Sequence, residues 1–196
     1  GTDGGLYRTN GSGFQSIDLW DTERTDLYSI NCIVQDQNGR MWIGTDNYGL
    51  FYIEDGQTHH LQEEYYNGNK TILSIVEGED GTIYVACVSG LFVVTEADKE
   101  TRSDTSSYAL AAYDDPTIAN IELRGMTAKE DEIWALDGDG IIYVFNQDGV
   151  THVIREQGES GEEWNTIKAC QGYVYVGSNG RDIRAYRSAT SKRTLS

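Results

Sequence analysis

Apolar and polar residues follow one another in runs of about five, broken at regular intervals by Gly, Asn or Asp. Between residues 29 and 61 the runs are Ser29 to Gln35, Met41 to Thr45, Leu50 to Ile53 and Thr58 to Leu61. Asn38-Gly39 and Asp55-Gly56 punctuate them. Such runs are too short for amphipathic helices, which need about ten residues at a 3.6 period, so the pattern predicts an all-β chain. Asn-Gly or Asp-Gly between β-rich runs is a strong hairpin signal, because both centre residues of the tight turn take φ > 0. Matching pairs stand at Asn10-Gly11, Asp80-Gly81 and Asp148-Gly149.

The unit of four runs repeats. Asn38-Gly39-Arg40-Met41-Trp42-Ile43-Gly44, Asp80-Gly81-Thr82-Ile83-Tyr84-Val85-Ala86, Glu130-Asp131-Glu132-Ile133-Trp134-Ala135-Leu136 and Gln171-Gly172-Tyr173-Val174-Tyr175-Val176-Gly177 each place a turn pair before a run centred on an aromatic. Trp42, Tyr84, Trp134 and Tyr175 are spaced by 42, 50 and 41 residues. Gly1-Thr2-Asp3, 43 residues before Gly44-Thr45-Asp46, opens a truncated copy that runs through Gly5-Leu6-Tyr7. Four antiparallel strands at a period in the low forties predict β-propeller blades. One four-stranded sheet buries too little by itself, so blades must cover one another, and the repeated aromatic is expected in the seam between them. The register predicts a half blade, its last two strands, at 1–20. Four blades follow at 21–66, 67–116, 117–160 and 161–196. A loop inserted within 96–120 accounts for the longest interval.

Ser29-Ile30-Asn31-Cys32-Ile33-Val34-Gln35-Asp36-Gln37-Asn38-Gly39-Arg40-Met41-Trp42-Ile43-Gly44-Thr45-Asp46-Asn47-Tyr48-Gly49-Leu50 resembles the two-component regulator propeller repeat. The resemblance lies in the acid, the Gly turn, Trp-Ile-Gly-Thr, and the Gly-Leu that opens the third strand. Ile72 to Phe92 follows it with Tyr for Trp and Ala-Cys for Gly-Thr; Leu123 to Ile142 and Thr166 to Ile183 follow it more loosely. The family commonly builds larger rings of seven blades, which implies a segment of a longer chain. The rival arrangement is a small four-bladed ring in which Asn165 to Gly177 completes the half blade.

Composition narrows the function. The 196 residues hold 22 Gly and a single Pro, and 32 acids against 15 Lys and Arg give a formal charge of −17. That sign repels phosphate backbones and anionic membranes, so neither nucleic acid nor direct membrane insertion is expected. The basic residues Arg181, Arg184, Arg187, Lys192 and Arg193 read as a solvated strand face and a fraying end. Cys32, Cys87 and Cys170 have neither metal nor redox spacing and read as small buried hydrophobes. His60 and His152 each lie 18 residues beyond a blade aromatic, as do Arg102 and Arg193. One repeated outer-strand position therefore explains both histidines without a general base. Asp137-Gly138-Asp139-Gly140 lacks the further oxygen ligands of a calcium loop. No nucleophile elbow or phosphate-binding Gly loop is present. No catalytic residue, metal or cofactor is expected.

The remaining candidates lie on loops joining second to third and fourth to first strands. The residues singled out as ligand-binding are Trp20, Asp46, Tyr48, Tyr65, Tyr66, Asp139, Trp164 and Arg181. Aromatic planes beside Asp and Asn suit carbohydrate, through CH–π stacking and hydroxyl acceptance; hydrated turns with packed aromatics are the plainer reading. The resemblance implies a non-catalytic, extracytoplasmic sensory propeller of a bacterial histidine-kinase-type receptor, responding to carbohydrate or another small ligand. The alternatives are a protein-docking scaffold and part of a carbohydrate-active propeller enzyme. Neighbouring blades or domains are the implied partners, and uncovered blade faces at the two ends predict self-association.

Overall fold

The computed structural model describes residues 1–20, 28–61, 68–97, 107–155, 163–180 and 183–189, with backbone alone for 191–195. Every regular element among them is a strand. A two-stranded sheet comes first, β1 (Leu6–Thr9) with β2 (Phe14–Ile17). The first blade is β3 (Ile30–Gln35), β4 (Met41–Thr45), β5 (Leu50–Glu54) and β6 (Gln57–His60). The second is β7 (Ile72–Glu77), β8 (Ile83–Cys87), β9 (Gly90–Glu96) and β10 (Tyr108–Ala112). The third is β11 (Leu123–Lys129), β12 (Glu132–Asp137), β13 (Ile141–Asn146) and β14 (Gly149–Arg155). The fourth is β15 (Trp164–Cys170), β16 (Tyr173–Ser178), β17 (Ile183–Ser188) and β18 (Ser191–Leu195). Each blade is an antiparallel meander in chain order. The innermost strands touch in succession, β3 with β7, β7 with β11 and β11 with β15, which fans the blades about one axis as a β-propeller. The half blade remains two-stranded, and β15 and β16 belong to the fourth blade, so the small-ring arrangement is not the one adopted.

Strand parity explains the packing. Trp42 pairs across the sheet with Val34 and Tyr52, and this face meets the second blade. Ile43 and Phe51, one residue along, face the half blade with Leu6 and Leu19. Tyr84 fills the next seam with Phe145 and Tyr113, and Trp134 the one after with Trp164 and Tyr186. Trp42, Tyr84 and Trp134 are 1%, 2% and 0% exposed. Tyr175 points the same way from the fourth blade, but no further sheet covers it; it is half-buried, beside Tyr173. The same logic leaves Tyr7 and Phe14 exposed on the outer face of the half blade and Ile183 on that of the fourth. Polar ties cross the seams near the axis. Asn31 Nδ2 donates to the Ile72 carbonyl at 3.0 Å, Met126 N to Ser74 Oγ at 3.1 Å, and Ala169 N to Thr127 Oγ1 at 3.0 Å.

Several expectations are corrected by the coordinates. At Asp55-Gly56 both residues take positive φ, 50° and 77°, but at Asn38-Gly39, Asp80-Gly81 and Asp148-Gly149 only the glycine does. The first two hairpins are longer: Gly39 N donates to Asp36 O, and Asp36 N to Arg40 O, so that turn spans Asp36–Arg40 with glycine alone in the left-handed region; in the third, Asn146 pairs with Gly149, so the loop is Gln147-Asp148 and the glycine opens the strand. The interval 96–120 is not simply a loop, because it contains β10 and a hydrogen-bonded turn at Asp115–Ala119. The histidine count slips by one. Across the sheet His152 pairs with Val144 beside Trp134, while His59, not His60, pairs with Tyr52 beside Trp42; a bulge in β14 absorbs the extra residue. Arg102 lies outside the described residues. Cys87 is buried, with Sγ donating to the Asn69 carbonyl, and Cys32 is half-buried, its thiol pushed up to about 12 by burial; Cys170, however, is exposed at a strand end. Arg184 is 7% exposed with its guanidinium over the Trp164 ring, so it is a packed residue and not part of a solvated face.

Candidate functional site

At the end of the arc that carries the second-to-third strand loops, Trp20 and Tyr48 meet, and Asp46 lies two residues before Tyr48 on the same loop. Asp18 Oδ1 accepts from Trp20 N at 3.0 Å and fixes the chain as it leaves the half blade. The indole then sets its edge against Phe51 and His60, both at 4.9 Å, and Tyr48 at 5.9 Å. Tyr48 follows Asn47, whose φ of 66° turns the loop, and the Tyr48 carbonyl is held by His60 Nε2 at 2.8 Å. Asp46 Oδ1 accepts from Thr71 Oγ1 at 2.9 Å, and Gly49 N donates to the Lys70 carbonyl at 3.0 Å, which pins the loop to the second blade. Trp20, Tyr48 and Asp46 are each only half-buried.

The other candidates separate from this group. Asp139 is exposed on the β12–β13 turn of the third blade. Asp137, behind it, accepts from Asp139 N and Ile141 N at 3.0 and 2.8 Å, and burial raises its carboxyl above the ordinary range. Trp164 is corrected: at 1% exposure it is sealed beneath Gly140, where an added β-carbon would stand 2.5 Å from its Cδ1, with Arg184 over its face. A ring so enclosed has no face to offer a ligand. Tyr65, Tyr66 and Arg181 lie outside the described residues. No group of three or more His, Cys, Asp and Glu is placed to hold a metal among the described residues.

Sequence reasoning looked only at this end. At the opposite end, where first-to-second and third-to-fourth strand turns meet, a cleft of about 390 Å³ opens between the second and third blades. Tyr84 and Ile133 form its floor, with Glu79, Asp80, Asp131 and Asp148 around it.

Residues 26–47, which include β3 and β4, match the family model for the two component regulator propeller. This stretch is similar to one two component regulator propeller repeat. No curated protein sequence matches it. Among solved structures it is similar to virginiamycin B lyase from Staphylococcus aureus, at 12% identity and a TM-score of 0.69, covering 93% of this chain and 59% of that one. It is also similar to the extracellular domain of the hybrid two component system BT4673 from B. thetaiotaomicron. There the identity is 21% and the TM-score 0.57, over 80% of this chain and 20% of that one. A third likeness is PorZ of Porphyromonas gingivalis, at 14% identity and a TM-score of 0.61, over 88% of this chain and 27% of that one. The chain thus spans about three-fifths of the lyase length and about one-fifth of the receptor domain. At these identities the likeness is one of fold, shared by enzyme and sensor alike. Among the described residues no helix is long and apolar enough to cross a membrane.

Proposed function

We propose that this propeller is a non-catalytic, ligand-binding part of a two-component-type signalling receptor, placed outside the cytoplasm, and that its ligand is a carbohydrate or a similar small hydroxylated molecule. The observation that carries the reading is the family match over residues 26–47, which runs through Asp46 directly to Tyr48, whose ring meets Trp20. The extracellular placement of the receptor domain to which the chain is similar supports the location. The mechanism is binding: the ligand must favour one arrangement of the receptor over another, because equal affinity for both transmits nothing.

A thermal-shift panel of neutral oligosaccharides tests the proposal. At least one is expected to raise the melting temperature in a saturable way, since a ligand at 100 times its Kd adds about 2.7 kcal/mol. Tyr48→Ala should weaken that response about tenfold, over and above the lower unliganded melting temperature that loss of its ring contacts with Trp20 and Tyr28 brings. A panel without any stabiliser, together with capture of a defined protein by the loop end, would transfer the assignment to a docking scaffold. Turnover of a glycan would transfer it to an enzyme.

A further inference from the structure

On the four innermost strands, Ile33, Ile75, Met126 and Ile167 hold one repeated position: each pairs with the residue that follows its blade's aromatic station. Three of them share a cluster with the aromatic of the preceding blade, Ile75 with Trp42, Met126 with Tyr84 and Ile167 with Trp134. These three are 5%, 8% and 6% exposed. Ile33 lies outside the cluster that the half blade forms with the first blade, and is 37% exposed. The residue before each station repeats the contrast: Ile83, Ile133 and Val174 are buried, whereas Met41 is half-buried. The innermost part of the first blade is therefore built for a ring that the half blade does not bring to it.

The backbone shows where such a ring belongs. Thr2 N donates to Gly5 O at 3.0 Å as Thr45 N does to Gly49 O at 3.2 Å, so Leu6, Tyr7 and Arg8 stand where Leu50, Phe51 and Tyr52 stand one blade on. In the first blade Leu50 O faces β6, taking Leu61 N at 3.0 Å, and alternate residues face β4. In the half blade the backbone groups of Tyr7 and Thr9 accordingly face an edge with no strand among the described residues. An edge of that kind is a template for one more strand.

A strand laid there has a fixed register. Its residue opposite Arg8 takes the place that Trp42 takes opposite Tyr52, and the side chain of that residue comes over Ile33 and Met41. The new contact continues the existing seam, where Leu6 and Leu19 pack with Ile43 and Phe51. Arg8 is held beside the place by Gln15 Oε1, at 2.8 and 3.0 Å. It can cover an incoming ring as Arg184 covers Trp164, with Cζ 4.4 Å from the ring centroid.

We propose that the open edge of β1 is a docking site for an extended β-segment of the repeat's own pattern, which pairs antiparallel with β1 and lays a Trp or Tyr over Ile33 and Met41. Backbone hydrogen bonds at Tyr7 and Thr9 hold the segment, and burial of the one aromatic ring selects it. The surface is separate from the Trp20–Tyr48 loops and does not depend on what they bind.

A labelled synthetic hairpin with the sequence of residues 29–46, kept under reductant, tests this by fluorescence anisotropy against the whole chain. Saturable binding is expected, at least tenfold tighter than for the same hairpin carrying Trp42→Ser. Ile33→Asp in the whole chain should weaken binding at least tenfold. Should that variant fail to fold, hydrogen exchange on the parent chain decides: the hairpin should slow the Tyr7 and Thr9 amides at least tenfold and leave those of β14 unchanged. Protection that rises with protein concentration while the hairpin fails to bind assigns the edge to a second copy and overturns the proposal. Equal binding of the Trp42→Ser hairpin, or unchanged Tyr7 and Thr9 exchange in the bound state, overturns it as well.

Discussion

Asp36 and Asp137 are both nearly buried and both cap turns, yet they titrate in opposite directions. Burial alone would raise either carboxyl. At Asp36 it is outweighed by hydrogen bonds from Trp42 Nε1 at 2.9 Å and from the Arg40 side chain and backbone, which leave the carboxyl below its ordinary value. At Asp137, whose partners are two amides and the Tyr143 hydroxyl, burial wins and the value is raised. A lowered folded value means that Asp36 stabilises the fold above the ordinary Asp range and loses that contribution as pH falls through the folded value. A raised one means that the Asp137 contribution is present at low pH and is lost as pH rises. Asp36→Asn is therefore expected to cost about 2–3 kcal/mol at pH 7, because Arg40 and Trp42 lose a charged acceptor, and less near pH 4. Asp137→Asn can keep its acceptor for both amides and donate to Tyr143, so it should lie within about 1 kcal/mol of wild type and compare best at pH 7. Urea unfolding at the two pH values separates them; equal losses at pH 7 would contradict this account.

The strands were legible in the sequence because alternation and Gly turns are local signals, and the aromatic stations were legible because the seam they fill recurs. The Trp-Ile-Gly-Thr stretch shows how narrow the fit is. A β-carbon on Gly44 would stand 2.5 Å from Cys32 Sγ and 2.6 Å from Ile72 Cγ2, so β4 can approach β3 and β7 only without one. Gly44→Ala should cost about 1–3 kcal/mol by crowding the seam, measured as a shift in urea midpoint at unchanged slope. The second blade carries Ala86 at that place, facing Ser74 across the sheet where the first has Cys32, so the constraint belongs to the seam and not to the strand. Less local features could not be read in advance. The bulge in β14 that shifts the histidine register depends on how two strands twist together. Trp164 looked like a loop aromatic because only the fold places Arg184 and Gly140 over it. Trp20 and Tyr48, 28 residues apart, were named as separate loop residues, and that their rings meet is a fact of blade packing.

At the scale of the whole molecule, the two ends of the arc present different faces. Tyr7 and Phe14, 43% and 82% exposed, mark one; Ile183, at 54%, and the half-buried Tyr175 mark the other. Each is the type of surface that meets a neighbouring blade elsewhere in the fold. A joint between unlike faces is heterologous: copies close into a ring where the rotation completes the circle of blades and grow open-ended where it does not. Sedimentation velocity is expected to show a weight-average mass that climbs with concentration, and Phe14→Glu with Ile183→Glu should abolish the climb; a constant monomer mass for the parent chain would refute it.

The ties at the axis have a mechanical corollary. Asn31, Ser74 and Thr127 each join one innermost strand to the next through a side chain and a backbone group, so no seam relies on greasy contact alone. Grease lets sheets slide; a directional bond of about 3 Å does not. Sliding one sheet past the next therefore has to break a directional bond beside the axle, which favours spokes that shift as a set over spokes that slip singly.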